Sequence, residues 1–135
     1  MAVNILSGTH ILGDLGFRKQ GFKTVTPNSS TGEIALDLSS EENNYKVTAR
    51  TGSNYFTWSN ISTSKGKSGT IYLINGTSST YAVELFPATN TMSPGGAGIT
   101  VNTNNGVKTL ISYFVNEDGN VYVNGVSNWQ GYPAP

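Results

Sequence analysis

The chain has 135 residues, with eight basic side chains, eight acidic side chains, one histidine and no cysteine. A single domain is the default for this length. The absence of cysteine excludes disulfide bonds, thiolate metal sites and a cysteine nucleophile. The formal net charge of zero gives no electrostatic attraction for nucleic acid or for an anionic membrane.

Residues 1–30 combine many apolar side chains with glycines and show neither strand alternation nor a helical stripe. A segment this apolar should be covered, and the sequence leaves open whether its own domain or a neighbouring subunit covers it. We predict an N-terminal arm and loop over 1–30 that mediates attachment or oligomerisation. Its candidate assembly residues are Ile5, Leu6, Ile11, Leu12, Leu15, Phe17 and Phe22.

Residues 31–127 alternate apolar and polar side chains in short runs that are separated by glycine-bearing turns. A period of two is typical of strands with one buried face and one wet face. Asp118-Gly119 is a hairpin signal, and three Asn-Gly pairs at 75–76, 105–106 and 124–125 predict further turns. The predicted strands cover 34–38, 45–49, 55–58, 70–74, 81–86, 99–101, 109–115 and 120–124.

Eight short strands with turns between them predict an all-β fold, a two-sheet antiparallel β-sandwich of jelly-roll-like topology over 31–127. The most apolar run, at 109–115, is expected to be a central strand. Pro94, Gly95 and Gly96 exclude a strand and predict a long loop over 86–98. Residues 128–135 form an extended, proline-ended C-terminal tail in this interpretation.

The sequence predicts no catalytic residue, no metal ligand and no cofactor. The only histidine, His10, lies in the arm near Asp14 and is interpreted as a surface or interface residue. GKSGT at 66–70 lacks the first glycine and the following helix of a phosphate-binding loop, so a turn with surface lysines is the better interpretation. A glycosidase pair formed by Asp37 and Glu84 is the least favoured reading.

The C-terminal tail supplies the most plausible ligand-contacting side chains. Trp129 stands with Gln130 and Tyr132, and aromatic rings beside amide groups are typical of sites that bind sugars. Trp129 and Tyr132 are also the side chains that would pin this tail to the domain, and that alternative is the more favoured. Three other aromatic residues are expected in the core: Trp58, Tyr72 and Tyr113.

Several short motifs occur in an order that resembles a β-sandwich module of exterior virion proteins of tailed bacteriophages, such as tail fibres, appendages and decoration proteins. The motifs are IALDLSSEENNYKVT, SNYFTWSN, GKSGTIYLI, PGGAGITVNT and VKTLISYFVNEDGNVY. The resemblance covers about 32–126, and the order of these short motifs carries it. The N-terminal arm is outside the pattern, and the run after Tyr81 lacks a tryptophan segment often found there.

The resemblance implies a non-enzymatic structural protein on the exterior of the virion, made in the host cytoplasm, that acts as a tail fibre or appendage subunit. The alternatives are a capsid decoration protein (head fibre or cement) and a carbohydrate-binding module that recognises host surface glycans. It also implies a homo-oligomer, with a trimer favoured, in contact with other virion proteins. No stretch approaches the about 20 apolar residues that span a bilayer, and the N-terminus lacks the features of a signal peptide. These observations predict no membrane insertion, and the zero net charge predicts no nucleic-acid binding.

Overall fold

The computed structural model of the protein describes residues 21–76, 89–97, 99 and 104–127, without the side chains of 126 and 127. Strands dominate these residues, which confirms the predicted all-β class. The only helical element among them is a three-residue 3-10 turn at Pro94–Gly96, and no helix there is long and apolar enough to cross a membrane. The strands are β1 (Phe22–Val25), β2 (Glu33–Asp37), β3 (Asn44–Ala49), β4 (Tyr55–Ser59), β5 (Ser68–Asn75), β6 (Thr91–Met92), β7 (Lys108–Val115) and β8 (Val121–Ser127).

The strands form a six-stranded sheet in the order β1-β3-β5-β7-β8-β6 and a two-stranded sheet formed by β2 and β4. Within the larger sheet, β1, β3 and β5 are parallel neighbours, and β2 and β4 are parallel in the smaller sheet. From β1 to β5 the chain therefore passes from one sheet to the other at every step. The larger sheet is mixed, which differs from the antiparallel pairing expected throughout.

This alternation builds two stacked coils, with coil 1 at 22–43 and coil 2 at 44–67. The paired positions Phe22 and Asn44 are 22 residues apart, and so are Glu33 and Tyr55. Parallel neighbours need a crossover of a dozen or more residues, and here each crossover contains a strand of the opposite sheet. Short loops thus suffice, although no hairpin connects these strands.

The second half of the larger sheet is antiparallel, with β7 between β5 and β8. β7 is a central strand, as expected for the most apolar run. The Asp118-Gly119 hairpin is confirmed, because Gly119 has φ 78° and the Asn116 Oδ1 atom accepts hydrogen bonds from Asp118 N (3.1 Å) and Asn120 N (2.8 Å).

The predicted turn at Asn124-Gly125 is wrong, since both residues lie inside β8. A Cβ atom at Gly125 would collide with the side chain of Ile99. Glycine is therefore required here for close packing and not for a turn. The turn at 105–106 is present, with φ 76° at Gly106.

Side chains from both sheets form one buried cluster, and the alternation predicted most of its members. Phe56 is buried, and Trp58 is partly buried and packs against the cluster. The predicted strand at 81–86 lies outside the described residues, and so do residues 100 and 101 of the predicted strand at 99–101. The cluster contains Ile34, Leu36, Leu38, Tyr45, Val47, Ala49, Phe56, Ile71, Leu73, Ile99, Ile111, Tyr113, Val115, Val121 and Val123.

Candidate functional site

One end of the coil stack has no strand beyond it among the described residues. β1 is the outermost strand of the larger sheet and β2 is an outer strand of the smaller sheet, and both belong to coil 1. We call the outer edges of these two strands the open coil end. Its first β2 residue is covered by a loop, because the Glu33 carbonyl accepts a hydrogen bond from Asn28 N at 2.8 Å. Such an edge presents backbone N–H and C=O groups on which another strand can pair.

Of the seven candidate assembly residues, the structure places only Phe22, which begins β1 within the range predicted as arm and loop. Phe22 is 54% exposed, and its ring centroid lies 6.4 Å from that of Tyr72 on the same face of the larger sheet. The other six residues lie outside the described part of the chain. The exposed ring and the open coil end therefore lie together at β1.

A second exposed surface lies on the same face of the larger sheet, toward its other edge strand, β6. Met92 is paired with Tyr122, and Tyr122 is paired with Phe114, so three apolar side chains lie side by side on neighbouring strands. Each is 46% exposed. We call Met92, Tyr122 and Phe114 the apolar row. The sequence pattern did not reveal this row, because alternation identifies only the buried face and β7 carries large apolar residues on both faces.

Asp37, the carboxylate considered for catalysis, is engaged in turn structure. Its Oδ1 atom accepts hydrogen bonds from Asn60 Nδ2 (2.7 Å), Ser39 N (2.9 Å) and Ser39 Oγ (2.7 Å). These bonds, that of Asn60 foremost, lower the pKa of Asp37 to about 2, which is unsuited to a general acid. Its proposed partner Glu84 lies outside the described residues.

Lys67 of the GKSGT segment also has a structural role. Its Nζ atom donates hydrogen bonds to the carbonyl oxygens of Leu38 (2.8 Å) and Ser40 (2.6 Å), and burial lowers the pKa of its ammonium group. Lys67 is thus partly buried and fastens coil 2 to coil 1, whereas the sequence predicted that it lies on the surface. Lys65 is exposed as predicted.

Of the three aromatic residues predicted to lie in the core, Tyr113 is part of it, Trp58 is partly buried against it, and Tyr72 lies outside it, so the prediction for Tyr72 is wrong. Tyr113 is buried, its hydroxyl donates to the Asn43 carbonyl at 2.8 Å, and burial raises its pKa. Trp58 is partly buried, with its ring centroid 5.6 Å from that of Tyr113, and its Nε1 atom donates to Thr91 Oγ1 at 3.1 Å. Tyr72 is partly buried on the outer face of the sheet.

The candidate glycan residues Trp129, Gln130 and Tyr132 lie outside the described residues, as does His10, and their roles stay predictions. Within the part of the chain that the structure describes, no three His, Cys, Asp or Glu side chains converge in a way that could hold a metal ion. Comparisons with protein-family models, with curated protein sequences and with solved structures found no match to this chain.

Proposed function

We propose that the chain is a non-enzymatic structural subunit of the exterior of a tailed-bacteriophage virion, and that it assembles through its N-terminal segment. A tail fibre or appendage is the favoured location, with a capsid decoration protein as the alternative. The motif order over 32–126 supports the virion assignment, and the geometry of coil 1 supports the mode of assembly.

The open coil end is the observation that carries this proposal. Proteins built from stacked coils need a terminal unit that covers the last hydrophobic and hydrogen-bonding surfaces. In coil 1, the outer edges of β1 and β2 have no neighbouring strand among the described residues. This end therefore suits a further stretch of chain, supplied in cis or by a neighbouring subunit.

The segment before β1 has the length and composition to act as that cover. It has 20 residues before the first described residue, Gly21, and one coil spans 22 residues between paired positions. Burial of apolar surface contributes about 25 cal/mol per Å² before the entropic cost of association is subtracted, and the zero net charge of the chain imposes little repulsion between copies. Its apolar residues are Ile5, Leu6, Ile11, Leu12, Leu15 and Phe17.

Two finer statements belong to this proposal, the first drawn from the resemblance and the second from the strand pattern of the sequence. The first is a homotrimer that contacts other virion proteins. The second is a two-layer sandwich with jelly-roll-like antiparallel character, which is supported by the shared core between the sheets and by the antiparallel pairing of β5, β7 and β8. The parallel coils depart from a jelly roll, so any further antiparallel strands would come from residues outside the described part.

The assembly proposal is tested by deleting residues 1–20, which retains Phe22 and all of β1. We expect the full chain to have the mass of an oligomer in sedimentation velocity, with a trimer as the specific expectation. The truncated chain should sediment as a monomer and keep its β-type circular dichroism spectrum.

Point variants show whether the change in oligomeric mass comes from the loss of apolar contacts or from the shortening of the chain. Ile5→Asp combined with Leu6→Asp should reproduce the monomer, whereas Asn4→Asp adds a charge in the same segment and should leave the oligomer intact. A truncated chain that remains an oligomer of unchanged mass, or a full chain that is monomeric at high concentration, contradicts the proposal.

A further inference from the structure

The apolar row has a parallel polar row beside it on the same face of the larger sheet. Ser112 is paired with both Asn124 and Thr70, one step along the strands from the pair formed by Phe114 and Tyr122. Side chains two residues apart on a strand share a face and lie about 7 Å apart. The surface therefore presents an apolar strip and a strip of hydroxyl and amide groups that run side by side across the strands.

A turn borders this surface and makes it a groove. The 3-10 turn at Pro94–Gly96 follows β6 directly and is closed by a hydrogen bond from Ser93 Oγ to the Ala97 carbonyl. Ser93 and Pro94 line the groove together with the apolar row, Ser112 and Asn124, and its volume is about 420 Å³. That volume lies in the range of small-molecule sites, about 300–1,000 Å³.

The lining contains no charged side chain among its described residues, although the chain has sixteen such residues in all. An ionic ligand would lose its hydration in this groove without gaining a partner of opposite charge. A neutral ligand with one apolar face and a hydrogen-bonding edge matches both strips. A pyranose ring has this character, since its C–H face can lie on an aromatic ring while its hydroxyl groups point to the side.

We propose that this groove binds a neutral oligosaccharide, with Tyr122 and Phe114 as the stacking platform and with Ser112 and Asn124 as hydrogen-bonding partners. A proline-rich peptide is the competing occupant, because aromatic grooves also recognise such helices. Asparagine and serine side chains both donate and accept hydrogen bonds. Saccharide hydroxyl groups match both functions, whereas proline has no N–H donor. The site is independent of the proposed assembly through the open coil end.

The test is a titration of the ¹⁵N-labelled full chain, observed by NMR, with cellohexaose, maltohexaose and chitohexaose in turn. We expect at least one hexasaccharide to shift the amide signals of residues 112–114 and 122–124. Tyr122→Ala and Phe114→Ala should each weaken that binding about tenfold or more, as expected for a central aromatic contact. Tyr122→Phe, which keeps the ring, should retain most of the affinity.

Tyr55→Ala is the matched control, because Tyr55 is an exposed tyrosine on the smaller sheet, and this variant should bind as the parent chain does. Sedimentation of Tyr122→Ala should be unchanged, which separates failure of this site from failure of assembly. The inference is overturned if no hexasaccharide shifts these signals, or if binding survives both alanine variants. It is also overturned if Trp129→Ala alone abolishes binding, or if decaproline shifts the signals where the saccharides do not.

Discussion

Gly69 and Gly125 lie inside strands, where glycine is normally unfavourable, because neither position has room for a Cβ atom. A Cβ at Gly69 would collide with the backbone carbonyl of Asn43, and one at Gly125 would collide with the side chain of Ile99. The Asn43 carbonyl also accepts the hydrogen bond of the Tyr113 hydroxyl. This carbonyl cannot move away without breaking that bond. The absence of a Cβ atom at Gly69 and Gly125 therefore determines how closely the neighbouring parts of the chain can pack.

We expect Gly69→Ala to destabilise the fold more than Gly125→Ala, because a backbone carbonyl yields less than the end of a side chain. Overpacking costs about 1–3 kcal/mol in the free energy of unfolding, and more where the neighbour is rigid. Urea denaturation of both variants measures the difference. Gly21→Ala is the control, since a Cβ there meets nothing within 4 Å and its φ is not positive. Equal stability of Gly69→Ala and the parent chain would show that the Asn43 carbonyl is not held in place.

The Asp37 turn predicts a pH dependence of stability. The pKa of Asp37 is lowered from 3.8 to about 2 in the folded chain, chiefly by the hydrogen bond from Asn60. A carboxylate with a lowered folded pKa stabilises the fold above its unfolded pKa, and this contribution is lost as pH falls through the folded value. Thermal unfolding between pH 5 and about 2 should therefore show a falling midpoint, and Asp37→Asn should make that fall shallower.

Glu42 contributes to the same loss of stability at low pH, since its pKa is also lowered, mainly by the hydrogen bond from the Ser40 hydroxyl. NMR titration of the side-chain carboxyl carbons separates the two groups. A midpoint for Asp37 at or above 3.8 would contradict the turn geometry described here.

Among the described residues, alternation located six of eight strands because it reports directly which face of a strand is buried. It did not reveal which strands are neighbours, since a face can be buried equally well by parallel or antiparallel partners. β1 was not predicted because its four residues are all exposed or half-exposed, so buried and exposed positions hardly alternate along it. β6 was not predicted because a strand of two residues is too short to show alternation.

The corners of the coils depend on buried polar groups that no alternation rule identifies. Asn54 is 2% exposed, and its Nδ2 atom donates to the carbonyl oxygens of Arg50 (2.8 Å) and Gly52 (3.0 Å). Its Oδ1 atom accepts from Arg50 N at 3.1 Å. The side-chain amide of Asn54 therefore supplies the hydrogen-bond partners that the backbone of the turn between β3 and β4 does not.

We expect Asn54→Ala to destabilise the fold by about 1–3 kcal/mol, because it leaves buried backbone groups without a partner. Chemical denaturation measures the change, and Ser53→Ala, an exposed substitution in the same corner, should be close to neutral. If the two variants have the same stability, the corner is held by other contacts and the role assigned to Asn54 is wrong.

Of the two candidate surfaces, the sequence alone indicates one, and the other can be recognised only in the folded chain. The apolar composition of the N-terminal segment was evident from the sequence, and its role in assembly stays a prediction. The apolar row was not evident, because Met92, Phe114 and Tyr122 come from three strands and meet only through their register. Their grouping depends on long-range pairing, which a single sequence without detected relatives does not encode in any local pattern.

The two coils and the antiparallel strands share one core, and the described residues present two separate exposed surfaces. The open coil end is the surface proposed for assembly, and the groove beside the apolar row is the surface proposed for a ligand. They lie at opposite edges of the larger sheet, since β1 and β6 are its terminal strands. A subunit held through one edge would keep the other edge accessible to a ligand.

We expect the N-terminal segment to cover the open coil end in the assembled protein. Hydrogen–deuterium exchange at the backbone amides of 22–25 and 34–37 measures this cover in the full chain and in the chain without residues 1–20. Strong protection is expected in the full chain and much faster exchange at both strands in the truncated chain, while the amides of β7 stay protected in both. Equal exchange at β1 and β2 in the two chains would show that the N-terminal segment does not cover this end.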